Sequence, residues 1–297
     1  MADQSERLEL RGEVGALIGS RDWSMTPLGP RETWPSSLKT MIGVMLGSRF
    51  PMMLGWGPDL LEFYNDAYVP VLGVKHPASL GAPVSTVWSE IWNVVGPLML
   101  SVFSGGPALW REHELLFINS RGFAQETFHT FSQSPVPDDD GKVGGVLLTV
   151  QETTEQVQGE RQLETLRALA ERTGVARTAT EACVIAASVL EGADADVPFS
   201  LVYLLGDDGV PTLAAASPAS LAGRIDLRAP GGGWPFHEAL RSGASVPVDD
   251  LARRFGSLPG GRYGVTPERA VVVPLLRDER ERYGFVVFGL GVWRAPS

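Results

Sequence analysis

Residues 151–191 form the only long stretch of this chain that is poor in Gly, Pro and aromatic residues and rich in Glu, Gln, Arg, Leu and Ala, the mixture of highest helix propensity. The chain holds 34 Gly and 22 Pro, most of them outside that stretch, where they break the sequence into short strand-like runs. A helical joint between two turn-rich regions predicts two domains. The length of 297 residues suits two domains of about 100–200 residues each. Within the joint, Leu163, Leu166 and Ala170 follow a 3-4 spacing over little more than one heptad before Gly174 interrupts it. That helix is either a short dimer seam or an amphipathic helix lying on its own domain. Glu181 to Leu190 predicts a second helix, with Cys183, Ala187 and Leu190 on one buried stripe.

Composition removes several function classes. A hydrophobic content of 44% supports buried cores. Acidic residues outnumber basic ones 35 to 25, and a nucleic-acid binder needs a basic face. One Cys rules out an internal disulfide, a CxxC…CxxC zinc cluster and dithiol redox chemistry within one chain, and suits a reducing cytoplasm. The most apolar run, Met41 to Trp56, is broken by Arg49, Pro51 and glycines, so a membrane-spanning helix is not expected, and the acidic start lacks a signal-peptide layout. A soluble chain is expected.

Six of the eight Trp (23, 34, 56, 88, 92 and 110) fall in the first 110 residues, so the two cores differ. In the first half, Pro51 to Trp56 and Leu60 to Tyr64 read as strands around Gly55-Trp56-Gly57-Pro58, and Asp66 to Leu72 as a short helix. Ser89 to Phe103 carries Ile91, Trp92, Val95, Leu98, Met99, Val102 and Phe103 on one helical face, with a kink or restart expected at Gly96-Pro97. Leu109 to Asn119, Ala124 to Ser132 and Lys142 to Val150 follow as strands. The order β-β-α-α-β-β-β predicts an antiparallel sheet with helices on one side. In the second half, Phe199 to Leu205 and Thr212 to Ala216 flank the turn Gly206-Asp207-Asp208-Gly209, Pro235 to Ser242 reads as a helix, and Arg269 to Leu276 pairs with Tyr283 to Leu290.

The first half resembles a PAS domain of the kind found at the head of bacterial sensor histidine kinases and related phosphatase regulators. The resemblance lies in Trp34-Pro35-x-x-Leu38, Pro51-Met52-x-Leu54-x-Trp56-Gly57-Pro58-x-Leu60, Tyr64-Asn65-Asp66-Ala67-Tyr68 and His76-Pro77-x-x-Leu80-Gly81. It continues through Trp88-x-Glu90-Ile91-Trp92, Phe131-Ser132-x-Ser134-Pro135 and Gly141-x-Val143-Gly144-Gly145-Val146, closing with Glu152-Thr153-Thr154. The second half resembles a GAF domain through its strand order, the phrase Phe199 to Gly209 and the closing hairpin. An α+β fold follows: a helical extension (1–25), a PAS-like domain (26–154), a helical linker (155–178) and a GAF-like domain (179–297) that stops short of its closing helix, as in a fragment or natural truncation. The sequence holds neither the phospho-accepting His helix nor the ATP-binding boxes of a histidine kinase.

Candidate site residues follow. Tyr64, Asn65, Trp88, Trp92 and Phe117 are the candidate lining of a PAS pocket, with core packing the alternative for the Trp pair and N-capping the alternative for Asn65 and Asp66. Tyr203, Trp234, Phe236, His237, Arg253 and Arg254 are the candidate GAF pocket. Gly231-Gly232-Gly233 is read as a flexible connection, with an anion cradle as the alternative. Asp138-Asp139-Asp140-Gly141 imitates a calcium loop but lacks the acidic residue at the twelfth position, so a solvated hairpin is expected and no metal. Cys183 has apolar neighbours and no cation on its helix face, which predicts a buried structural thiol. With no Cys in the PAS half, a flavin adduct is not expected. The environments of Cys183 and of His76, His113 and His129 argue likewise against covalent bilin and haem.

The expected function is a sensory and regulatory module without catalysis of its own. It would dimerise through residues 151–175 and feed a small ligand or partner signal to a kinase or phosphatase output, as in two-component signalling. The alternatives are a scaffold with closed pockets that works through protein contacts and, more remotely, a small-molecule enzyme, for which no nucleophile, base and orienting group assemble.

Overall fold

The computed structural model describes residues 10–119, 124–223, 233–277 and 281–291. Two compact units divide between Val157 and Gln158.

The first unit opens with two helices, α1 (Gly12–Ser20) and α2 (Ser36–Gly47), before the strands β1 (Met52–Trp56) and β2 (Leu61–Tyr64). Two short turns, Asp66–Tyr68 and Gly73–Lys75, flank α3 (Val69–Leu72); α4 (Val84–Val87) and α5 (Trp92–Phe103) follow, and the chain returns through β3 (Leu109–Ile118), β4 (Gln125–Pro137) and β5 (Val143–Glu152). The strands form one antiparallel sheet in the order β2-β1-β5-β4-β3. Pairing of Val136 with Gly145 carries β4 beyond Ser132, where the sequence reading ends it. The α5 helix starts at Trp92 rather than Ser89 and runs through Pro97 without restarting. Gly96 makes room for the Trp92 indole, since a Cβ there would lie 2.6 Å from the ring.

The sequence reading contains no α2. Its apolar spacing is helical, with Leu38, Ile42 and Met45 buried at i, i+4 and i+7, but its start signal lies elsewhere in the chain. The backbone N–H groups of Ser36 and Ser37 donate to the two carboxylate oxygens of Asp139, each at 2.9 Å. The run 138–141 is therefore a capping turn rather than a merely solvated hairpin, and those bonds hold the Asp139 carboxyl below its ordinary range. The α1 helix is capped in the same way: Glu13 and Val14 donate to Asp66 at 3.1 and 2.8 Å. Gly12 sits at φ 76° with its α-carbon so close to Asp66 that any Cβ would strike the carboxylate.

These helices cover one face of β1 and β2, where Phe63 stacks on Trp23 at 5.2 Å and meets Trp34 edge-on at 5.5 Å. The helices after β2 cover the other face. All four β2 residues are consequently buried, including the charged Glu62.

Helix α6 (Thr154–Thr173) begins directly after β5. In the second unit, α7 (Ala179–Glu191) precedes β6 (Ser200–Leu205) and β7 (Pro211–Ser217); α8 (Phe236–Ser242), β8 (Val246–Val248), α9 (Leu251–Phe255), β9 (Arg269–Leu276) and β10 (Arg282–Leu290) complete it. The antiparallel order β7-β6-β10-β9-β8 repeats that of the first sheet. One face carries α7, with Cys183 against Val202 and Val286; the other holds the larger core of Phe199, Leu201, Tyr203, Trp234, Phe285 and Val287. The short elements β8 and α9 are absent from the sequence reading because each buries a single side chain, Val248 and Leu251, too few to show a period.

Candidate functional site

A cavity of about 50 Å³ lies in the first unit between the sheet and the helices that follow β2. Its floor is one face of the sheet: Met53 on β1, Leu116 and Ile118 on β3, His129, Phe131 and Gln133 on β4, and Leu148 and Val150 on β5. Alternation along β4 brings residues 129, 131 and 133 to the same side. The roof is Tyr68, Val71, Val84, Trp88, Ile91, Val95 and Met99.

Trp88 is the one residue of the candidate PAS lining that reaches this cavity. Phe117 does not: it lies between Leu116 and Ile118 on β3 and so points to the opposite face. Trp92 packs half-buried against the core over Gly96. Tyr64 turns its hydroxyl to His76 Nδ1 at 2.9 Å. Asn65 is a clasp rather than a cavity wall. Its Nδ2 donates to the carbonyls of Met45, Ser48 and Phe50, and its Oδ1 accepts from the N–H groups of Met52 and Tyr68, at 2.8–3.1 Å.

Beside the cavity stands a buried polar group that the sequence reading missed. Glu62 is 0% exposed, its Oε1 accepts from the Trp88 indole N–H at 3.1 Å, and its Oε2 has no partner among the described residues. Burial pushes its carboxyl up to about 8, against the smaller opposing effects of the Trp88 hydrogen bond and the Lys75 charge. Lys75 holds the Trp88 ring from above, its ammonium 3.9 Å from the ring centroid, while pairing with Glu90 and donating to the Val87 carbonyl at 2.8 Å. Tyr68 meets the same indole edge-on at 6.3 Å. Trp88 thus carries the contact between cavity and polar cluster. The loop from His76 to Pro83 pairs with the free edge of β2: Glu62 N–H donates to Ala82 and Gly81 N–H to the Glu62 carbonyl.

Two cavity-lining side chains also hold a buried atom without a partner among the described residues. Gln133 Oε1 and His129 Nδ1 make no hydrogen bond, at 1% and 3% exposure, and burial pulls the His129 imidazole below its ordinary value. Next to His129, Phe128 holds the start of α6. Its carbonyl accepts from Thr153 N–H at 2.7 Å and its N–H donates to Thr154 Oγ1 at 3.0 Å.

In the second unit the candidate pocket residues separate. Tyr203 stacks on Phe285 at 4.7 Å and Phe285 on Phe236 at 5.0 Å, while Trp234 stacks on Phe255 at 4.1 Å. These aromatics are core, and burial drives the Tyr203 hydroxyl up to about 12. His237 and Arg253 are exposed, and Arg254 donates to the Gly233 carbonyl at 2.8 Å. Gly231 and Gly232 lie outside the described residues. Cys183 is buried and its thiol is pushed up by that burial. On α6, Leu163 (48% exposed), Leu166 (63%) and Ala170 form an exposed stripe opposite Arg161, which binds Asp196 through two hydrogen bonds of 2.8 and 2.7 Å. Among the described residues, no cluster of three or more His, Cys, Asp or Glu could hold a metal ion, and no helix is long and apolar enough to cross a membrane.

No family model and no curated protein matches the chain. Among solved structures it is similar to the LOV protein of Rhodobacter sphaeroides, at 15% identity over 46% of this chain and 78% of that one, with a TM-score of 0.34. It is similar also to the PAS domain of Bordetella pertussis BvgS (20% identity, 44% and 96% covered, TM-score 0.31). A third is the GAF domain of an Acinetobacter phosphoenolpyruvate-protein phosphotransferase (17% identity, 46% and 81% covered, TM-score 0.31). The α+β architecture itself rests on the chain's own topology: two five-stranded antiparallel sheets of identical order, the first PAS-like and the second GAF-like.

Proposed function

We propose that this chain is a sensory module of a signalling protein, in which the cavity of the first unit takes a small molecule and β4 passes its presence to α6. The observation that carries this reading is the position of β4. One strand supplies His129, Phe131 and Gln133 to the cavity and, through Phe128, two of the hydrogen bonds that fix where α6 begins. Strands are stiff along their length, so a displacement at the cavity floor reaches Thr153 and Thr154 within one or two residues. The output, on this reading, is a kinase or phosphatase domain supplied by the same polypeptide or by a partner, and the module performs no chemistry itself.

A cavity-filling variant tests the reading. Val95→Phe should abolish binding of small molecules detected by native mass spectrometry of protein purified from its host, while leaving the fold intact by circular dichroism. Protein that carries no molecule and binds none in a metabolite screen would instead favour the scaffold reading. The small volume excludes drug-sized ligands, whose sites run to about 300 Å³ or more.

We propose further that α6 pairs with a second copy along Leu163, Leu166 and Ala170, the exposed stripe opposite Arg161. Sedimentation should give a dimer at micromolar concentration, and Leu163→Glu with Leu166→Glu should convert it to monomer. An unchanged mass in that variant would refute the seam.

A further inference from the structure

We propose that the cavity selects a neutral, compact molecule with a short hydrocarbon body and one hydrogen-bond donor, a small alcohol being the simplest case, and that Gln133 Oε1 is the group that reads the donor. The proposal rests on the cavity reading above and adds the chemistry of the occupant.

Charge is decided by the walls. Among the described residues no Lys, Arg, Asp or Glu lines the cavity, and burial lowers the His129 imidazole, so none of those side chains compensates an anion or a cation brought out of water. A carboxylate or phosphate is excluded on that ground. The body is decided by volume and lining. About 50 Å³, at roughly 10–15 Å³ per water-sized position, suits about three to five non-hydrogen atoms. Water itself is a poor occupant, because each buried water needs about two to four polar partners and the walls are mainly Met, Val, Leu, Ile and aromatic side chains.

The donor is decided by the orphaned atoms. Gln133 is 1% exposed and its Oε1 has no partner, which is an acceptor held dry and waiting. His129 Nδ1 is a second unpaired atom on the same strand face, but four residues along a strand span about 13 Å, beyond the reach of one compact ligand. Of the two, the Gln133 requirement is the sharper: a carbonyl-type oxygen accepts and cannot donate.

Isopropanol and acetone separate these claims, because they share size and shape and differ in one donor. In titrations of the isotope-labelled full chain followed by NMR, isopropanol should bind at least about tenfold more tightly than acetone, acetate should not bind, and the isopropanol preference should fall to within about twofold in Gln133→Leu. Xenon, an apolar probe indifferent to hydrogen bonding, should enter the cavity of both proteins. If xenon binds but isopropanol and acetone bind equally, or acetate competes with them, the ligand class proposed here is wrong while the cavity reading stands. If xenon is also excluded, the cavity reading itself falls. The ranking in the unaltered chain decides the matter even if Gln133→Leu does not fold.

Discussion

Replacing Glu62 with Gln is expected to leave the first unit about as stable as the parent near pH 4.5 and to make it more stable at pH 8 by on the order of 5 kcal/mol, from a shift of the carboxyl from 4.5 to about 8 at about 1.4 kcal/mol per unit. The sign follows from which state holds the proton. Below pH 4.5 the carboxyl is neutral in both the folded and the unfolded chain, and its burial carries no penalty linked to pH. Between 4.5 and about 8 the unfolded chain releases the proton while the folded one retains it, so stability falls steadily across that window. The amide of Gln keeps an oxygen for the Trp88 N–H and never ionises, so the slope disappears. His129 acts in the opposite direction: its lowered value contributes stability above its ordinary 6.5 that is lost as the pH falls. The interval from pH 6.5 to 8 is therefore where Glu62 acts alone of the two. Urea unfolding followed by Trp fluorescence reads mainly the first unit, which holds six of the eight Trp. A parent curve that stays level from pH 6.5 to 8, or a variant that keeps the parent's slope, would show that Glu62 is not held neutral.

The same residue shows where the sequence stops being readable. Leu61-Glu62-Phe63-Tyr64 reads as a strand, and a period of two would send Glu62 to solvent if one face were open. Neither face is open, because α1 and α2 cover one side and the helices after β2 the other. Of those two N-terminal helices, α1 falls within the helical extension expected over 1–25, while α2 is hard to read for a related reason. Each lacks a capping side chain at its own start, and receives one from far along the chain, Asp66 for α1 and Asp139 for α2. The elements bounded by local turn chemistry, such as β1 and β2 around Gly57-Pro58 or β6 and β7 around residues 206–209, are legible with ends close to those observed.

Cavity residues divide along similar lines. Trp88 is legible as one of a pair of Trp four residues apart, in Trp88-x-Glu90-Ile91-Trp92. His129 and Gln133 are not, because β4 buries Gln125, Glu126, Thr127, His129 and Gln133, so its inward face carries no apolar alternation to detect. In the second half the aromatic residues attract attention as a pocket, yet Tyr203, Phe236 and Phe285 satisfy one another by stacking. Aromatic content alone does not distinguish a wall from a filled core.

Asn65→Ala is expected to destabilise the first unit by about 4 kcal/mol or more, enough to unfold a domain whose total stability lies in the usual range of about 5–15 kcal/mol under mild heating or low urea. Asn65 is 1% exposed and serves five backbone groups: three carbonyls at the end of α2 and the start of β1, and the N–H groups of Met52 and Tyr68. Ala would leave the Ser48 and Phe50 carbonyls and the Met52 N–H to find other partners, while the Met45 carbonyl keeps the Ser48 N–H and the Tyr68 N–H keeps the Asn65 carbonyl; each buried group left unpaired costs about 1–3 kcal/mol. Asn65→Asp is the sharper variant because it is isosteric. It keeps the oxygen that accepts from Met52 and Tyr68 but replaces the Nδ2 donor with a buried carboxyl, which must either hold its proton or present a charged oxygen to three carbonyl oxygens. Its loss should therefore grow as the pH rises above about 4, where the unfolded chain releases that proton, and ease as the pH falls back to that value. A variant within about 1 kcal/mol of the parent, for either substitution, would mean that the clasp is not what joins α2 to the sheet. The consequence reaches the cavity, because Tyr68 is both a roof residue and one of the five groups held. Loss of Asn65 should thus loosen xenon and alcohol binding even at temperatures where the sheet remains folded, whereas Asp139→Ala, which loosens the other end of α2, should lower stability with little effect on either probe.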